Sequence, residues 1–446
     1  MVDVGSSVSD RSRLTDHVSI GVLTRAVPRF IVDEVLLDTG GREKRSRSLP
    51  AHVVVYFVMA LALFRDGYDE VLRSLVHGLR FSRTWSRVWR VPTTGAISQA
   101  RARLGEAPVR ELFSRIAVPL AGASTPGAWF GTGVAGTGRW RLMAIDGVML
   151  DIPDTPANIA VYPKAVGGTR RPYPQVKIVG LGECGTHALI DAVIGGIGDG
   201  ERDLATPLTR SADTTMLIMA DRGFFSYPLW RDYQVSGAQL LWRLSRTTHV
   251  PVLETLPDGS YLSEIHTPNV GKTRIAFDRI DNKRLATHIR VRVIEYTITT
   301  ETNTTSAATS PHDPVTGSRP APAEVIRVIT TILDHTVADA TALAALYAQR
   351  WEFESSLREI ETQLLAPGST LRSKTPEMVR QEIWGLFLTH YAVRSFIATA
   401  ADTIDIDPDR LSTIRAINII RRSITDQAAI SPLTTPSRPD THPGNT

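Results

Sequence analysis

The hydrophobic pattern of this chain first changes at the glycine-rich residues 121–138 (AGASTPGAWFGTGVAGTG), which predict a linker. Before them, residues 14–128 carry apolar side chains mostly at helical spacing, most densely in residues 51–64. After them come short apolar runs of strand composition, at residues 140–150, 175–181, 186–194, 215–220 and 239–244. A helix is predicted at residues 227–235, before the last of these strands. The expected fold class is therefore a mixed α/β sheet preceded by a helical region.

The helical signal disappears again between residues 246 and 336. Residues 288–295 alternate between apolar and polar side chains, which predicts a half-buried strand, and residues 325–333 predict another. Residues 299–323, rich in Thr, Ser, Pro and Ala, predict a long loop. We interpret the whole segment as a β-rich insertion. Helices are then predicted at residues 338–365, 375–401 and 408–424, before a tail of disordered composition.

The size and composition exclude several classes of protein. With 446 residues, 42% hydrophobic and 22% charged, the chain is typical of soluble globular proteins with two or three structural units. Residues 52–64 are too short to span a bilayer, and the first residues lack the apolar core of a signal peptide. The single cysteine, Cys184, excludes an intramolecular disulfide and a multi-cysteine zinc module and is compatible with a reducing cytoplasm. No phosphate-binding Gly-x4-Gly-Lys loop is present, which disfavours an NTPase.

Positive charge is concentrated in one part of the helical region. Between residues 80 and 115 there are eight arginines and two acids, a local excess that suits a polyanion such as DNA. A solvated helix face explains the same excess. Residues 92–105 contain a short turn followed by a helix that carries Arg101 and Arg103, which is compatible with a DNA-reading helix-turn-helix and equally with any capped helix.

Two aspartates each close an apolar strand. Asp146 follows Leu-Met-Ala-Ile, and Asp221 follows Leu-Ile-Met-Ala. A charged acid at the end of a buried strand needs a partner, and two such acids on neighbouring strands would meet at the edge of the sheet and repel. A divalent cation resolves this repulsion, and Mg²⁺ prefers oxygen ligands. Either aspartate alone is also compatible with a helix cap or a turn.

The helix predicted at residues 338–365 supplies a third acid. Tyr347, Arg350, Glu354 and Glu361 are spaced so that they fall on one helix face, where they could contact phosphate and metal together. A surface helix with an ion pair has the same pattern. Because Glu352 and other acids are close by, spacing alone does not select Glu354.

These residues resemble a known signature. Tyr347-x2-Arg350-x3-Glu354 is similar to the Tyr-x2-Arg-x3-Glu-x6-Lys signature of the insertion-sequence-four family of DDE transposases. Further segments agree with this family in order: Ile145-Asp146-Gly147, Gly200-Glu201, Met219-Ala220-Asp221-Arg222-Gly223-Phe224, and Leu371 to Trp384. The chain departs from the signature at Glu361, where the family has lysine; Arg358 and Lys374 are candidate substitutes for that lysine.

The resemblance implies an RNase H-like catalytic core with a β-rich insertion, preceded by an all-α N-terminal domain. The expected boundaries are a helical DNA-binding domain at 1–128, the two parts of the core at 139–245 and 337–424, the insertion at 246–336 and a tail at 425–446.

The implied activity is metal-dependent DNA cleavage and strand transfer at insertion-sequence ends. Asp146, Asp221 and Glu354 would hold two Mg²⁺ ions, for which Mn²⁺ may substitute. Expected partners are double-stranded DNA with the terminal inverted repeats of the element, target DNA, and a second copy of the chain on that DNA, in the bacterial cytoplasm and nucleoid and without a membrane. An impaired, transposase-derived DNA-binding protein and an RNase H-like nuclease are the alternatives. The residues predicted to contact DNA are Tyr347, Arg350, Trp351, Arg243, Arg101 and Arg103.

Overall fold

The computed structural model describes residues 21–41, 49–76, 91–164, 172–267, 288–298, 324–365 and 367–427. The arginines 80, 83, 87 and 90, the predicted loop 299–323 and the tail from residue 428 lie outside these ranges. Among the described residues, no helix is long and apolar enough to cross a membrane.

Helices alone make up the described chain before the first strand. They are α1 Val22–Ala26, α2 Arg29–Asp38, α3 Ala51–Ala60, α4 Tyr68–Val76, α5 Thr94–Leu104 and α6 Ala107–Ile116. Helix α3 is apolar on every side, so all of its residues from His52 to Ala60 are buried. Its main neighbour is a late helix, α12 Pro376–Thr403. Gly385 permits this contact, because a Cβ atom there would lie 2.5 Å from Cγ1 of Val58.

The strands form one ten-stranded sheet. In chain order they are β1 Trp129–Ala135, β2 Thr137–Asp151, β3 Gln175–Glu183, β4 Leu189–Gly196, β5 Met216–Ala220, β6 Gln239–Arg243, β7 Glu254–Thr255, β8 Tyr261–His266, β9 His288–Ile298 and β10 Glu324–Thr330. In space the order is β4-β3-β2-β5-β6-β10-β9-β8-β7, with β1 paired to β2. Strands β2, β3 and β4 are antiparallel, whereas β5 and β6 run parallel to β2. This arrangement confirms the predicted RNase H-like core.

Each face of the sheet carries its own hydrophobic core, because successive side chains of a strand point to opposite faces. On β2, Leu142 and Ala144 belong to the core shared with the helices α1 to α6, whereas Met143 and Ile145 belong to a second core. The second core is covered by α8 Glu201–Ala205, a 3₁₀ helix at Thr206–Ser211 and α9 Tyr227–Val235. A further short helix, α7 Pro156–Val161, follows β2. The sheet is therefore the middle of three layers.

The predicted insertion continues this sheet. Strand β10 pairs antiparallel with β6, with Val328 opposite Arg243, and β9 and β8 follow outward. Chain order returns to helices after β10, with α10 Ala340–Tyr347, α11 Arg350–Glu359, a π-helical turn at Ile360–Leu364, α12, a 3₁₀ helix at Pro408–Arg410 and α13 Thr413–Gln427.

Two local predictions are wrong. The glycine-rich stretch predicted as a linker forms β1 and its hairpin with β2, in which Gly136 and Gly138 adopt positive φ angles that favour glycine. The helix predicted over residues 338–365 is interrupted between Tyr347 and Arg350, and it widens into a π-helical turn after Glu359. The four signature positions therefore do not lie on one continuous α-helix.

Candidate active site

Asp146 and Asp221 lie side by side where β5 ends, but Asp146 is within β2 and not at its end, because that strand continues to Asp151. Ile145 of β2 is opposite Ala220 of β5, so the residue that follows each of them lies at the neighbouring position. The side chain of Asp146 is 19% exposed, so solvent reaches it although β2 is an interior strand of the sheet. The convergence predicted from the two apolar runs is present.

Helix α11 brings Glu354 to this strand end because a glycine pair on β3 leaves room for it. Phe353 is fully buried against β3. A Cβ atom on Gly182 would lie 1.9 Å from Cε2 of Phe353, and one on Gly180 would lie 3.5 Å from its Cζ. Since no real Cβ atom tolerates the shorter distance, glycine at position 182 is what lets the helix approach the sheet.

Arg350 joins the acids of the strand end to the acid of the helix. Its Nη1 lies 3.2 Å from Oδ2 of Asp146, and its Nη2 lies 3.7 Å from Oε2 of Glu354. Glu354 also lies 3.1 Å from Nη2 of Arg358, one turn further along. The guanidinium of Arg350 is 7% exposed and occupies a position between two carboxylates where a cation is expected.

The pKa shifts of Asp146 and Arg350 show that the charges at this site influence one another. Burial raises the pKa of Asp146; the N–H of Gly147 and the charge of Arg350 oppose this, and the charges of Glu354 and Asp221 add to it. The pKa of Arg350 is raised in spite of burial, because the surrounding anionic groups favour its charged form. An acid that shares its field with two other acids is the arrangement in which a metal ion is bound.

Glu354 differs from its acidic neighbours in its contact with Arg350. Glu352 and Glu359 lie close to His187, away from Arg350. Glu361 is exposed in the π-helical turn. Of these four acids, Glu354 is the one in contact with Arg350.

Tyr347 and Trp351 flank Arg350. The guanidinium carbon lies 6.0 Å from the ring centre of Tyr347 and 5.2 Å from that of Trp351. Tyr347 is buried; its hydroxyl donates to the carbonyl of Ala220 at 3.3 Å, and burial raises its pKa. Trp351, predicted to contact DNA, is 56% exposed, whereas Trp242 is fully buried.

The remaining predicted DNA contacts divide into one buried and two accessible arginines. Arg101 is 1% exposed and donates to Gln381 Oε1 at 3.0 Å and Ser373 Oγ at 3.0 Å. The prediction that Arg101 contacts DNA is therefore wrong: its hydrogen bonds tie α5 to α12 and the segment before it. Arg103 is exposed on the same helix, and Arg243 is partly exposed and paired with Glu324.

Glu201 is a site residue to which the sequence assigned no role. Its Oε1 lies 3.6 Å from where a Cβ atom on Gly147 would be, and its Oε2 lies 3.6 Å from the same position on Gly223. The carboxylate of Glu201 is therefore beside the residue that follows Asp146 and the second residue after Asp221. The motif Gly200-Glu201 was the available signal, because it precedes a helix between the two aspartates.

The donor set of the triad suits a hard divalent cation. Three carboxylates offer only oxygen ligands, and at present a guanidinium balances two of them. A different group of possible metal ligands lies elsewhere in the described chain. It consists of His187, Glu352 and Asp409, whose ligand atoms all lie within 4.8 Å of one another.

Comparison with known proteins identifies the family. Two protein-family models match the chain. The family described as "Insertion element 4 transposase N-terminal" matches residues 17–114, and the family described as "Transposase DDE domain" matches residues 141–391. The chain is 27% identical to transposase InsG for insertion sequence element IS4 of Escherichia coli K12, over 90% of this chain and 82% of that protein. It is 28% identical to the putative transposase InsZ of the same organism, over 45% of this chain and 62% of that protein.

A solved structure titled as a piggyBac transposase synaptic complex with hairpin DNA aligns with 95% of this chain and 86% of its own, at 12% identity and a TM-score of 0.43, a likeness too weak to inform the site. The family matches cover the helical region and the sheet with both aspartates and Glu354. The chain belongs to the insertion element 4 family of DDE transposases and is an enzyme of insertion-sequence transposition that acts on DNA and depends on a divalent metal.

Proposed function

We propose that the chain cleaves DNA at the ends of its insertion sequence and joins those ends to target DNA, with Asp146, Asp221 and Glu354 as the metal-binding triad. The observation that supports this most strongly is the contact of Arg350 with both Asp146 and Glu354, at 3.2 Å and 3.7 Å. It links a helix residue to a strand end that already holds two aspartates. The set of oxygen ligands favours Mg²⁺, with Mn²⁺ as a substitute.

The three carboxylates of the triad would hold two divalent ions. When bound, two divalent cations supply an activated water or 3′-hydroxyl and neutralise the charge that develops on phosphate. The charge of Arg350 favours the ionised, metal-binding form of Asp146, although burial is the larger effect and raises the pKa of Asp146. Arg350 then turns to phosphate, for which its guanidinium is a bidentate donor.

The DNA-contacting surface surrounds Arg350. Trp351 offers an exposed ring, 56% accessible, on which an unstacked base at the element end can pack. Arg358, whose side chain is 62% exposed, supplies the positive charge that the family places at position 361. Arg243 and Arg103 are accessible for phosphate contacts further out. Tyr347 acts as a positioning residue, because its hydroxyl is already bonded to the end of β5.

The partner is double-stranded DNA that carries the terminal inverted repeats of the element. Both ends have to be held together during strand transfer, so we propose a homodimer on DNA. A hairpin formed on the donor end, as the resemblance implies, is the expected cleavage intermediate.

The test is divalent-metal-dependent cleavage of a labelled duplex with the element's terminal repeats. Glu354→Gln, Asp146→Asn and Asp221→Asn should each abolish cleavage while DNA binding stays measurable. Glu377→Gln, an exposed acid at the start of α12, is the matched control and should cleave normally. Full cleavage by any triad variant would reject the triad, and binding without cleavage by the unmodified protein would reject the proposed activity.

A further inference from the structure

We propose that His187, Glu352 and Asp409 form a second metal site, separate from the triad, which takes a transition-metal dication of the zinc type and fixes α11 from its far side. The three residues come from three segments: the turn between β3 and β4, helix α11, and the 3₁₀ helix at Pro408–Arg410. One ion bound there would tie these segments together.

The geometry is that of ligands around one cation. One ligand atom from each residue lies within 4.8 Å of the others, and His187 Nε2 is 3.1 Å from Oδ1 of Asp409. Ligand atoms that each lie about 2.0–2.2 Å from zinc are separated from one another by roughly 3–3.5 Å. The pair of His187 Nε2 and Asp409 Oδ1 is already at that separation.

The polar atoms of the cluster lack other partners. Nδ1 of His187 and Oε2 of Glu352 are buried without a hydrogen bond, and Nε2 of His187 faces Oδ1 of Asp409 at 3.1 Å. The side chain of His187 is 9% exposed, and its backbone adopts a φ angle of +59°, which is rare for a residue other than glycine. A buried imidazole nitrogen that makes no hydrogen bond is costly. A metal ion would use these atoms.

The charge around the cluster also calls for a dication. Three carboxylates, Glu352, Glu359 and Asp409, are gathered there around the guanidinium of Arg394, so the acids outnumber the arginine. Glu359 already has partners: it accepts from Thr413 Oγ1 at 2.8 Å and lies 3.4 Å from Nη1 of Arg394. Glu359 therefore supports the cluster, and Glu352, whose Oε2 has no hydrogen bond, and Asp409, which faces His187, remain for the ion.

The ligand chemistry distinguishes this site from the triad. An imidazole with two carboxylates suits zinc or another first-row dication, whereas Mg²⁺ prefers oxygen ligands in octahedral geometry. Glu352 and Glu354 belong to the same helix but contact different groups, since Glu354 faces Arg350 and Arg358. An ion on Glu352 would hold the helix in the orientation that presents Arg350 and Glu354.

The test uses the full chain with Asp146→Asn, Asp221→Asn and Glu354→Gln, so that the triad no longer contributes to metal binding. After removal of metal by dialysis against a chelator, Zn²⁺ is titrated calorimetrically, and thermal unfolding is followed with and without Zn²⁺. We expect one Zn²⁺ per chain, a higher Tm with Zn²⁺, and no response to the same concentration of Mg²⁺.

Two further variants in this background keep the result interpretable. His187→Ala and Asp409→Asn should each weaken Zn²⁺ binding by at least ~10-fold, and Asp409 is 35% exposed, so its variant should fold. His249→Ala, an exposed histidine, is the matched control and should bind like its parent. Absence of Zn²⁺ binding, or binding unchanged in Asp409→Asn, would overturn the site and leave an ordinary ion pair between a protonated His187 and Asp409.

Discussion

Nη1 of Arg350 lies 3.2 Å from Oδ2 of Asp146, a residue 204 positions earlier in the chain. The guanidinium therefore competes with metal for the same carboxylate, and it is also the group best placed to receive phosphate. We predict that Arg350→Gln binds Mn²⁺ more tightly than the unmodified protein but cleaves about 100-fold more slowly, the scale of losing one donor to a developing charge. The increase in Tm with Mn²⁺ measures metal affinity, and the rate of cutting of the labelled duplex measures cleavage.

Arg358→Gln is the comparison for this variant, since Arg358 also contacts Glu354 but is exposed and does not contact Asp146. Arg358→Gln should change the Mn²⁺ affinity less than Arg350→Gln does. If Arg350→Gln instead weakened metal binding and left cleavage intact, Arg350 would be a support for the acids and no part of phosphate recognition.

The second prediction concerns the approach of α11 to the sheet. In Gly182→Ala the new Cβ atom would overlap Phe353, so the helix has to move away and take Glu354 with it. We expect a loss of about 1–3 kcal/mol in the free energy of unfolding, as for other overpacked cores, and a larger relative loss of cleavage. Denaturant unfolding and the cleavage assay measure the two effects.

Gly198→Ala provides the control, because nothing lies within 4 Å of a Cβ atom at that position. Normal cleavage in Gly182→Ala would show that the position of Glu354 tolerates the displacement.

The third prediction separates two arginines on helix α5. Arg103→Ala should weaken DNA binding at all sequences and reduce the dependence of log K on log salt by about 1, as expected for one phosphate contact. Arg101→Met should destabilise the fold by at least ~2 kcal/mol, because it leaves the buried partners Gln381 and Ser373 without their donor. A change in salt dependence for Arg101→Met at a temperature where it remains folded would contradict its structural assignment.

The fourth prediction is a pH dependence of stability at the inserted strands. Asp258 forms a buried ion pair with Arg292 and accepts from the N–H of Ala340 at 2.9 Å, where α10 begins. Burial raises the pKa of Asp258, but the hydrogen bonds from Ser260 and Ala340 and the charge of Arg292 outweigh it and hold the pKa below the usual range. Asp258→Asn should cost roughly 3–5 kcal/mol at neutral pH.

The direction of this pH dependence follows from the lowered pKa of Asp258. The stabilisation is complete above the pKa of an unfolded aspartate, about 3.9, and is lost as the pH falls through the lower folded value. The difference in unfolding free energy between the protein and Asp258→Asn should thus stay constant from pH 7 to 5 and shrink only below about pH 4. Glu254→Gln, in an exposed pair with Arg290, should change stability by less than ~1 kcal/mol at every pH. A difference that instead shrank between pH 7 and 5 would assign the effect to another group.

The sequence was most informative where local pattern and topology coincide. Asp146 and Asp221 each end an apolar run, and parallel strands bring such ends together, so their meeting could be predicted. The acid on the helix could not be selected by spacing, since the break after Tyr347 and the contact with Arg350 depend on tertiary packing. The resemblance supplied that choice.

The errors share a physical origin. Arg101 has the composition of a surface charge, but its partners Gln381 and Ser373 lie more than 270 residues away in the chain, so its burial leaves no local signal. The glycines of residues 121–138 are compatible with a flexible linker and with a tight hairpin. The pairing of β1 with β2 decides between the two. The cluster at His187 was missed for the same reason: its members come from three distant segments.

The buried hydrogen bond between Arg101 and Gln381 joins the N-terminal helices to α12, and this constrains how the two parts could hold DNA. The helices before the sheet share one core with α12, so a fragment cut at the glycine-rich hairpin would expose the apolar surface that α12 covers. A duplex bound by the helical part would be held at a fixed distance and angle from Asp146, because both parts share one hydrophobic core. The spacing between the bound bases and the cleaved phosphate would then be set by the protein interior.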